Sequence, residues 1–203
     1  MSARTGILLV VSGPSGSGKT TLCKRLSDAN RARHSISCTT REPRAGEIDG
    51  EHYHFLNKEE FAVKLAAGEF LESALVHGNF YGTLKSEVLD HLAAGVDIVM
   101  DIDVQGAAQV RASDDVAIQR ALVDLFVMPP SQEELLQRLT GRGTDSQEVI
   151  NVRMINALVE IEHWPEYSFR LLSSTPDEDY AKFDALLAAE QLRVSRLIRT
   201  EIG

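Results

Sequence analysis

A glycine-rich segment between an apolar run and a helical pattern constrains the fold of this chain more than any other feature. Residues 13–20 read G-P-S-G-S-G-K-T, which matches the pattern G-x-x-x-x-G-K-[ST] in full. The apolar residues 7–12 precede this segment, and a helical pattern over residues 19–29 follows it. Such glycines let backbone N–H groups point toward an anion, and the helix N-terminus adds positive potential. Residues 13–20 therefore predict a loop that holds nucleotide phosphates, here called the phosphate loop.

The phosphate loop assigns roles to particular side chains. Lys19 is expected to reach the β- and γ-phosphates, and Thr20 is expected to hold Mg²⁺. A triphosphate site also needs an acidic residue at a neighbouring strand end. Asp101 and Asp103 follow the apolar run 96–102, and we expect at least one of them to face the site.

Apolar runs alternate with helical patterns of roughly 10 to 20 residues along the chain, which is typical of a parallel sheet wrapped by helices. The fold class is therefore predicted to be α/β, with a phosphate-loop core. Further strands are predicted at residues 34–39, 96–102, 121–128 and 169–173. A long last helix is predicted to begin at Pro176 and to end near Arg199.

Two segments interrupt this alternation. Residues 37–83 combine Gly and Pro with aromatic β-type runs and one short helix that Asn57 and Glu60 cap, so we predict an inserted mixed α/β lobe. Residues 138–153 place arginines among glycines between two helices and predict a short helical lid. The core then comprises residues 1–36, 84–137 and 154–203.

Charge is distributed unevenly along the chain. The net charge is −9 overall, but residues 1–50 carry +4 and the remainder carries −13. The overall negative charge argues against binding to nucleic acid or to an anionic membrane, and the positive charge of residues 1–50 indicates that this part of the chain binds anions. Two cysteines cannot form a disulfide framework, no apolar run approaches the ~18 residues of a membrane span, and no signal-peptide pattern is present. We therefore expect a cytoplasmic protein.

The inserted lobe is the candidate for a second binding pocket. A GTPase or a motor needs a water-positioning residue and switch segments, whereas a small kinase needs a pocket for the phosphoryl acceptor. Arg41 and Arg44 lie three residues apart beside several hydroxyl groups. A guanidinium group can donate hydrogen bonds to two oxygens of one phosphate, and the phenol hydroxyls of Tyr53 and Tyr81 can donate to the same phosphate. The lobe thus predicts an acceptor that already carries a phosphate.

Seven motifs in chain order resemble those of guanylate kinases. Besides the phosphate loop they are S-x-T-T-R-x-P-R-x-G-E at 37–47, G-x-x-Y at 50–53, F-L-E at 70–72, G-N-F-Y-G-T at 78–83, D-I-D-x-Q-G at 101–106 and R-L-x-G-R-G at 138–143. Together they extend the resemblance over about residues 6–200. The resemblance implies Mg²⁺-dependent transfer of the γ-phosphoryl group of ATP to GMP, and dGMP is expected as a further acceptor.

The same resemblance implies roles for individual residues. The residues expected to bind ATP are Gly13, Pro14, Ser15, Gly16, Ser17, Gly18, Lys19, Thr20 and Asp101. Those expected to bind the GMP phosphate are Ser37, Arg41, Arg44, Tyr53 and Tyr81, and those expected to read guanine are Glu72, Thr83 and Asp103. Carboxylates suit guanine because its base-pairing edge presents N1–H and N2–H₂ donors, whereas adenine has no donor at N1 and no group at C2. The expected catalytic set is Lys19, Arg41, Arg138, Arg142 and Arg153.

One departure and two alternatives remain open. Ser173 and Ser174 stand where the family often carries Asn-Asp near the adenine pocket, so the adenine contact is not assigned. Another small kinase, acting on adenylate, thymidylate or a ribose phosphate, is one alternative, against which Glu72 and Asp103 weigh. A non-enzymatic guanylate-kinase-like module is the other, against which Lys19, Thr20 and Arg41 weigh. The oligomeric state is left open.

Overall fold

A computed structural model describes residues 4–141 and 146–198. The strands of this part of the chain are β1 (Leu8–Ser12), β2 (Arg33–His34), β3 (Cys38–Thr39), β4 (His54–Phe55), β5 (Phe70–Val76), β6 (Asn79–Leu84), β7 (Ile98–Asp101), β8 (Leu122–Met128) and β9 (Phe169–Leu172). The α-helices are α1 (Lys19–Asp28), α2 (Lys58–Ala66), α3 (Lys85–Ala93), α4 (Val104–Arg111), α5 (Val116–Ala121), α6 (Gln132–Thr140), α7 (Gln147–Ile161) and α8 (Pro176–Gln191).

The central sheet contains five parallel strands in the order β2-β7-β1-β8-β9. Every residue of β1 is buried, and its side chains alternate between the two faces. Leu9 and Val11 pack in a cluster with residues of α1 and α8, whereas Leu8 and Val10 pack with residues of α3, α4 and α5. A parallel sheet covered by helices on both faces confirms the predicted α/β class.

The parallel arrangement decides where a ligand can bind. Strands β1, β7, β8 and β9 all run in the same direction, so their carboxyl ends meet at one edge of the sheet. The phosphate loop follows β1 and Asp103 follows β7 at this edge. Open α/β sheets bind ligands at the carboxyl ends of their strands. The residues predicted to bind ATP therefore lie at the edge where the fold places a ligand.

The remaining four strands form a second, mixed sheet in the order β4-β3-β6-β5. Its core is the stack of Phe61 on Phe70 and Phe80, with ring centroids 4.3 Å and 5.3 Å apart. Helix α2 carries Phe61 and begins with the predicted capping box. Glu60 N donates to Asn57 Oδ1 at 2.7 Å, and Asn57 N donates to Glu60 Oε2 at 3.0 Å.

Strand β5 joins the mixed sheet to the core through several contacts, among them the packing of Leu71 in the apolar cluster that contains Leu8 and Val10. Strand β5 is the edge of the mixed sheet, and Gln109 of α4 lies against it. Ser73 N donates to Gln109 Oε1 at 3.0 Å, and Gln109 Nε2 donates to Ser73 O at 2.9 Å. The Gln109 amide thus pairs with the β5 backbone as a neighbouring strand would.

The prediction of one strand over residues 34–39 is wrong. Ser35 N donates to Val99 O in the central sheet, whereas His54 N donates to Ser37 O in the mixed sheet. The chain therefore leaves one sheet and enters the other between these residues, which separates β2 from β3. An alternating pattern carries no information about which sheet a residue joins.

The predicted end of the last helix is also wrong. Helix α8 ends at Gln191, and a short 3₁₀ helix, Val194–Arg196, follows it; Arg199 lies outside the described residues. Arg196 is buried, pairs with Glu190 at 2.8 Å and donates to Arg120 O at 2.8 Å. This buried pair turns the chain back, so that Thr5 N donates to Arg196 O.

Within residues 4–141 and 146–198, every helix is too short or too polar to span a bilayer.

Candidate active site

The phosphate loop has a backbone that requires glycine. Gly13, Gly16 and Gly18 have φ values of 148°, 88° and 98°. A Cβ atom on Gly13 would lie 2.4 Å from Val127 O, so a larger residue would push the loop away from β8. Ser17 Oγ is buried in the loop and has no hydrogen-bond partner among the described residues. The loop surrounds a cavity of ≈ 370 Å³, the phosphate cavity, which Lys19 lines from the first turn of α1.

Thr20 and Asp101 meet beside the phosphate cavity. Thr20 Oγ1 donates to Asp101 Oδ2 at 2.5 Å. A hydroxyl and a carboxylate are oxygen ligands of the kind that Mg²⁺ uses together with phosphate oxygens and water. These two side chains therefore fit the predicted magnesium ion.

Arg138 is the lid arginine that the structure brings to the phosphate loop. Its Nη1 lies 3.4 Å from both Gly16 O and Ser17 O, and 3.2 Å from Ser173 Oγ. Its Nη2 donates to Glu134. The guanidinium group thus lies at the loop backbone, where the phosphates of a nucleotide would be.

The lid prediction also named Arg142 and Arg153. Arg142 lies outside the described residues. Arg153 is half-buried in α7, seven residues before Glu160, so the two side chains share a helix face. Burial raises the pKa of Glu160, while the charge of Lys19 lowers it and that of Asp103 raises it. Glu160 therefore lies within electrostatic reach of both the phosphate loop and Asp103.

An ion pair organises the predicted phosphate-binding residues of the inserted lobe. Arg41 donates to both carboxylate oxygens of Glu47, at 2.9 Å and 3.0 Å, and Arg44 N donates to Glu47 Oε2 at 2.7 Å. The hydrogen bonds from Arg41 lower the pKa of Glu47 to about 2. Glu47 had no predicted role, although its position in the 37–47 motif is a signal that could have identified it.

Aromatic rings complete this cluster. The Arg41 guanidinium lies 5.5 Å from the ring centroid of Tyr53, whose ring meets that of Tyr81 edge-on at 6.1 Å. The hydrogen bonds to Glu47 raise the pKa of Arg41, and the Tyr81 hydroxyl adds to that rise. Arg41, Tyr53 and Tyr81 are thus brought together, while the exposed Arg44 joins them through its backbone.

Two predicted guanine-reading residues, Thr83 and Glu72, form a hydrogen-bonded chain with Ser37, which was predicted to bind the GMP phosphate. Ser37 Oγ lies 3.0 Å from Thr83 Oγ1, which donates to Glu72 Oε1 at 2.8 Å. Glu72 is only 6% exposed, and its burial raises its pKa. The hydrogen bond from Thr83 opposes that rise, and the negative charge of Asp103 adds to it.

Asp103 approaches Glu72 from the core. It caps α4, because Gly106 N donates to Asp103 Oδ1 at 2.8 Å. The same helix turn lies close to Glu72, since a Cβ atom on Gly106 would be 3.2 Å from Glu72 Oε2. The mixed sheet and the core therefore each contribute one carboxylate to the same place.

A second cavity adjoins the phosphate cavity. This base cavity has a volume of ≈ 270 Å³ and shares Gly16, Gly18, Thr21 and Arg138 with the phosphate cavity. Ser173 and Ser174 line its far side together with Asp179 of α8. Asp179 had no predicted role, because nothing in the sequence indicates that an aspartate at this position of a helix is buried.

Comparison with known proteins places the chain in a family. The guanylate kinase family model matches residues 5–190. A guanylate kinase of Cereibacter sphaeroides is 46% identical over 195 residues, covering 96% of this chain and 91% of that protein. One of Clostridium tetani is 41% identical over 192 residues, covering 95% and 90%.

A solved structure agrees with these relatives. The crystal structure of guanylate kinase from Anaplasma phagocytophilum superposes with a TM-score of 0.74 at 31% sequence identity, covering 97% of this chain and 92% of that one. The residues matched by the family model include every strand of both sheets. The chain belongs to the guanylate kinase family.

Proposed function

We propose that this protein transfers the γ-phosphoryl group of ATP to GMP and releases ADP and GDP. The observation that carries the proposal is the hydrogen-bonded chain Ser37–Thr83–Glu72, whose buried carboxylate lies within electrostatic reach of Asp103 at the same sheet edge as the phosphate loop. A phosphate loop alone serves many reactions, whereas two carboxylates beside a phosphate-binding cluster fit one acceptor.

Glu72 and Asp103 read the acceptor base. Guanine presents N1–H and N2–H₂ donors, and an ionised carboxylate only accepts hydrogen bonds. Thr83 orients Glu72 through its hydroxyl. AMP offers no donor at N1 and no group at C2, so it would leave a buried carboxylate without its partner and be rejected.

Arg41 and Arg44 hold the GMP phosphate, with Ser37, Tyr53 and Tyr81 as further hydrogen-bond donors. The attacking phosphate oxygen is already ionised, so the reaction needs no general base. The task of the protein is to bring two polyanions into line, and positive charge performs it.

Lys19 and the phosphate-loop backbone hold the donor phosphates, and Arg138 stabilises the charge that develops on the transferred group. Thr20 would hold Mg²⁺ with Asp101 beside it, and the ion supplies charge neutralisation between the phosphates when bound. Arg142 and Arg153 join Arg138 when the lid closes, and closure excludes water that would compete as acceptor.

The wider organisation follows from the same proposal. Residues 1–36, 84–137 and 154–203 form the nucleotide-binding core, 37–83 the GMP lobe, and 138–153 the lid. The substrates are free ATP and GMP, with dGMP as a further acceptor, and neither nucleic acid nor membrane takes part. Both cysteines are unpaired, which supports a cytoplasmic location.

A coupled assay of ADP release tests the function. Purified protein is supplied with ATP, Mg²⁺ and, in turn, GMP, dGMP, AMP, CMP or UMP. We expect turnover with GMP and dGMP and rates lower by several orders of magnitude with the others. Preference for AMP or a pyrimidine nucleotide would identify a different small kinase. GMP binding without any turnover would identify a non-enzymatic module.

A further inference from the structure

We propose that the Asp179 carboxylate reads the 6-amino group of the donor purine and thereby selects an adenine nucleotide over a guanine nucleotide as phosphoryl donor. This inference rests on the proposed function, because it assigns the base of the donor to the base cavity. Asp179 lies in the first turns of α8, far from every residue of the phosphate-loop motif in the sequence.

The position of the base cavity supports the assignment. A nucleotide whose phosphates occupy the phosphate cavity would place its base in the base cavity, because the two cavities share Gly16, Gly18, Thr21 and Arg138. Leu22 and Val127 give the base cavity apolar walls that suit a flat ring. Arg138 borders both cavities, and a guanidinium plane stacks well on an aromatic base.

The carboxylate is fixed in place before any ligand binds. Asp179 Oδ1 accepts hydrogen bonds from Ser174 N at 2.8 Å and Ser174 Oγ at 3.0 Å, and Asp179 Oδ2 accepts one from Ser173 Oγ at 3.0 Å. Asp179 is 8% exposed. A carboxylate has about four acceptor positions, so one position on Oδ2 remains for a ligand.

That remaining position distinguishes the two purines. Adenine carries an amino group at C6, which donates to a carboxylate. Guanine carries a carbonyl oxygen there, so two acceptors would face each other in a buried place, which is costly. Ser173 also accepts from Arg138, so the base-reading group and the arginine at the phosphate loop share one hydroxyl.

The variant Asp179→Asn tests the proposal directly. Ser174 N can only donate, so it keeps the amide oxygen of Asn at the Oδ1 position, and the amide nitrogen takes the Oδ2 position. The group facing the cavity then changes from an acceptor to a donor, which suits guanine O6. We expect the ratio of kcat/KM for ATP to that for GTP, with GMP as acceptor, to fall by about 10–100-fold. KM for GMP should not change.

Asp177→Asn is the matched control. It removes the same charge from the same helix turn, but Asp177 is 92% exposed and lies outside the base cavity. In this variant the ratio of kcat/KM for ATP to kcat/KM for GTP should equal that of the unaltered protein. An unchanged ratio in Asp179→Asn, or an equal fall in both variants, would overturn the proposal.

A ligand change gives a second test that needs no variant. Purine riboside triphosphate lacks the 6-amino group, and calorimetry should show that the unaltered protein binds it at least about tenfold more weakly than ATP. Equal affinity would refute the role of Asp179 even if Asp179→Asn failed to fold. If no nucleoside triphosphate phosphorylated GMP, the proposed function would be refuted. The affinities for ATP and for purine riboside triphosphate would still decide the role of Asp179.

Discussion

The phosphate loop extends from a strand whose five residues are all buried, whereas the inserted lobe folds around Cys38, Phe61 and Phe70. The central sheet also has a large apolar cluster on each face. Segments with few buried apolar contacts open at lower free energy than the core. We therefore expect the donor half of the site to rest on a more stable part of the fold than the acceptor half.

The two halves are also expected to bind phosphate by different means. On the donor side, the proposal relies on backbone N–H groups and the N-terminus of α1, so the geometry depends on the positive φ values of Gly13, Gly16 and Gly18. On the acceptor side, the proposal relies on side chains from separate segments of the lobe, which other side chains such as Glu47 and Thr83 position. Single substitutions should therefore separate the two halves, and the following predictions test this from the largest expected effect to the smallest.

Removing the core of the lobe should break the acceptor half alone. Phe61→Ala deletes the central ring of the phenylalanine stack and should lower the free energy of unfolding of the lobe by about 3–5 kcal/mol. Calorimetry should then show weak GMP binding and nearly normal ATP binding. Phe183→Ala, at a fully buried position of the central core, should impair both. Equal loss of both ligands in Phe61→Ala would show that the halves are not independent.

Lys19→Ala should abolish turnover without disturbing either core. The variant loses a charge contact to the transferring group, so kcat should fall by at least about 100-fold. Circular dichroism should show an unchanged Tm. Lys24→Ala, on the exposed face of the same helix, should retain normal kcat. Near-normal turnover in Lys19→Ala would contradict the assignment of the phosphate loop.

Glu72→Gln should affect the acceptor half only. The amide has a donor where guanine also donates, so kcat/KM for GMP should fall by about 10–100-fold while KM for ATP stays the same. Glu69→Gln, at an exposed position nearby, serves as the control. Equal losses on both substrates would exclude a base-reading role.

Glu72→Gln should also change how the stability of the protein depends on pH. Burial raises the pKa of Glu72 in the folded state, so the stability it contributes is full below pH 4.5 and declines as the pH rises through the raised pKa. The variant should show a smaller decline in Tm between pH 4 and pH 7. The same decline in both proteins would indicate that Glu72 is not the titrating group.

Glu47→Gln should have the smallest effect on activity. The substitution weakens the ion pair that positions Arg41 but removes no group expected to contact GMP, so KM for GMP should rise by up to about tenfold. Because the folded pKa of Glu47 is about 2, its contribution to stability is present above pH 4.5 and is lost as the pH falls toward 2. Melting curves at pH 5 and pH 3 should differ less in the variant than in Glu42→Gln. The reverse order would contradict the Arg41–Glu47 pairing.

Local features of this fold were predictable from the sequence, and features that depend on distant contacts were not. β1 and α1 match their predictions to within one residue, because one motif specifies strand, loop and helix. The chain Ser37–Thr83–Glu72 joins residues that are up to 46 positions apart, so only the family resemblance pointed to it. Asp179 was missed because its burial depends on Ser173 and Ser174 in a preceding loop.

The pairing of Gln109 with Ser73 also affects how the molecule behaves among copies of itself. An edge strand with free N–H and C=O groups is a template for another strand, and such edges lead to aggregation. The Gln109 amide occupies both groups of Ser73 on β5. A side chain of α4 thus shields the middle of this edge from pairing with a second molecule. Gln109→Ala would expose that segment, and its cost would appear in solubility at high concentration.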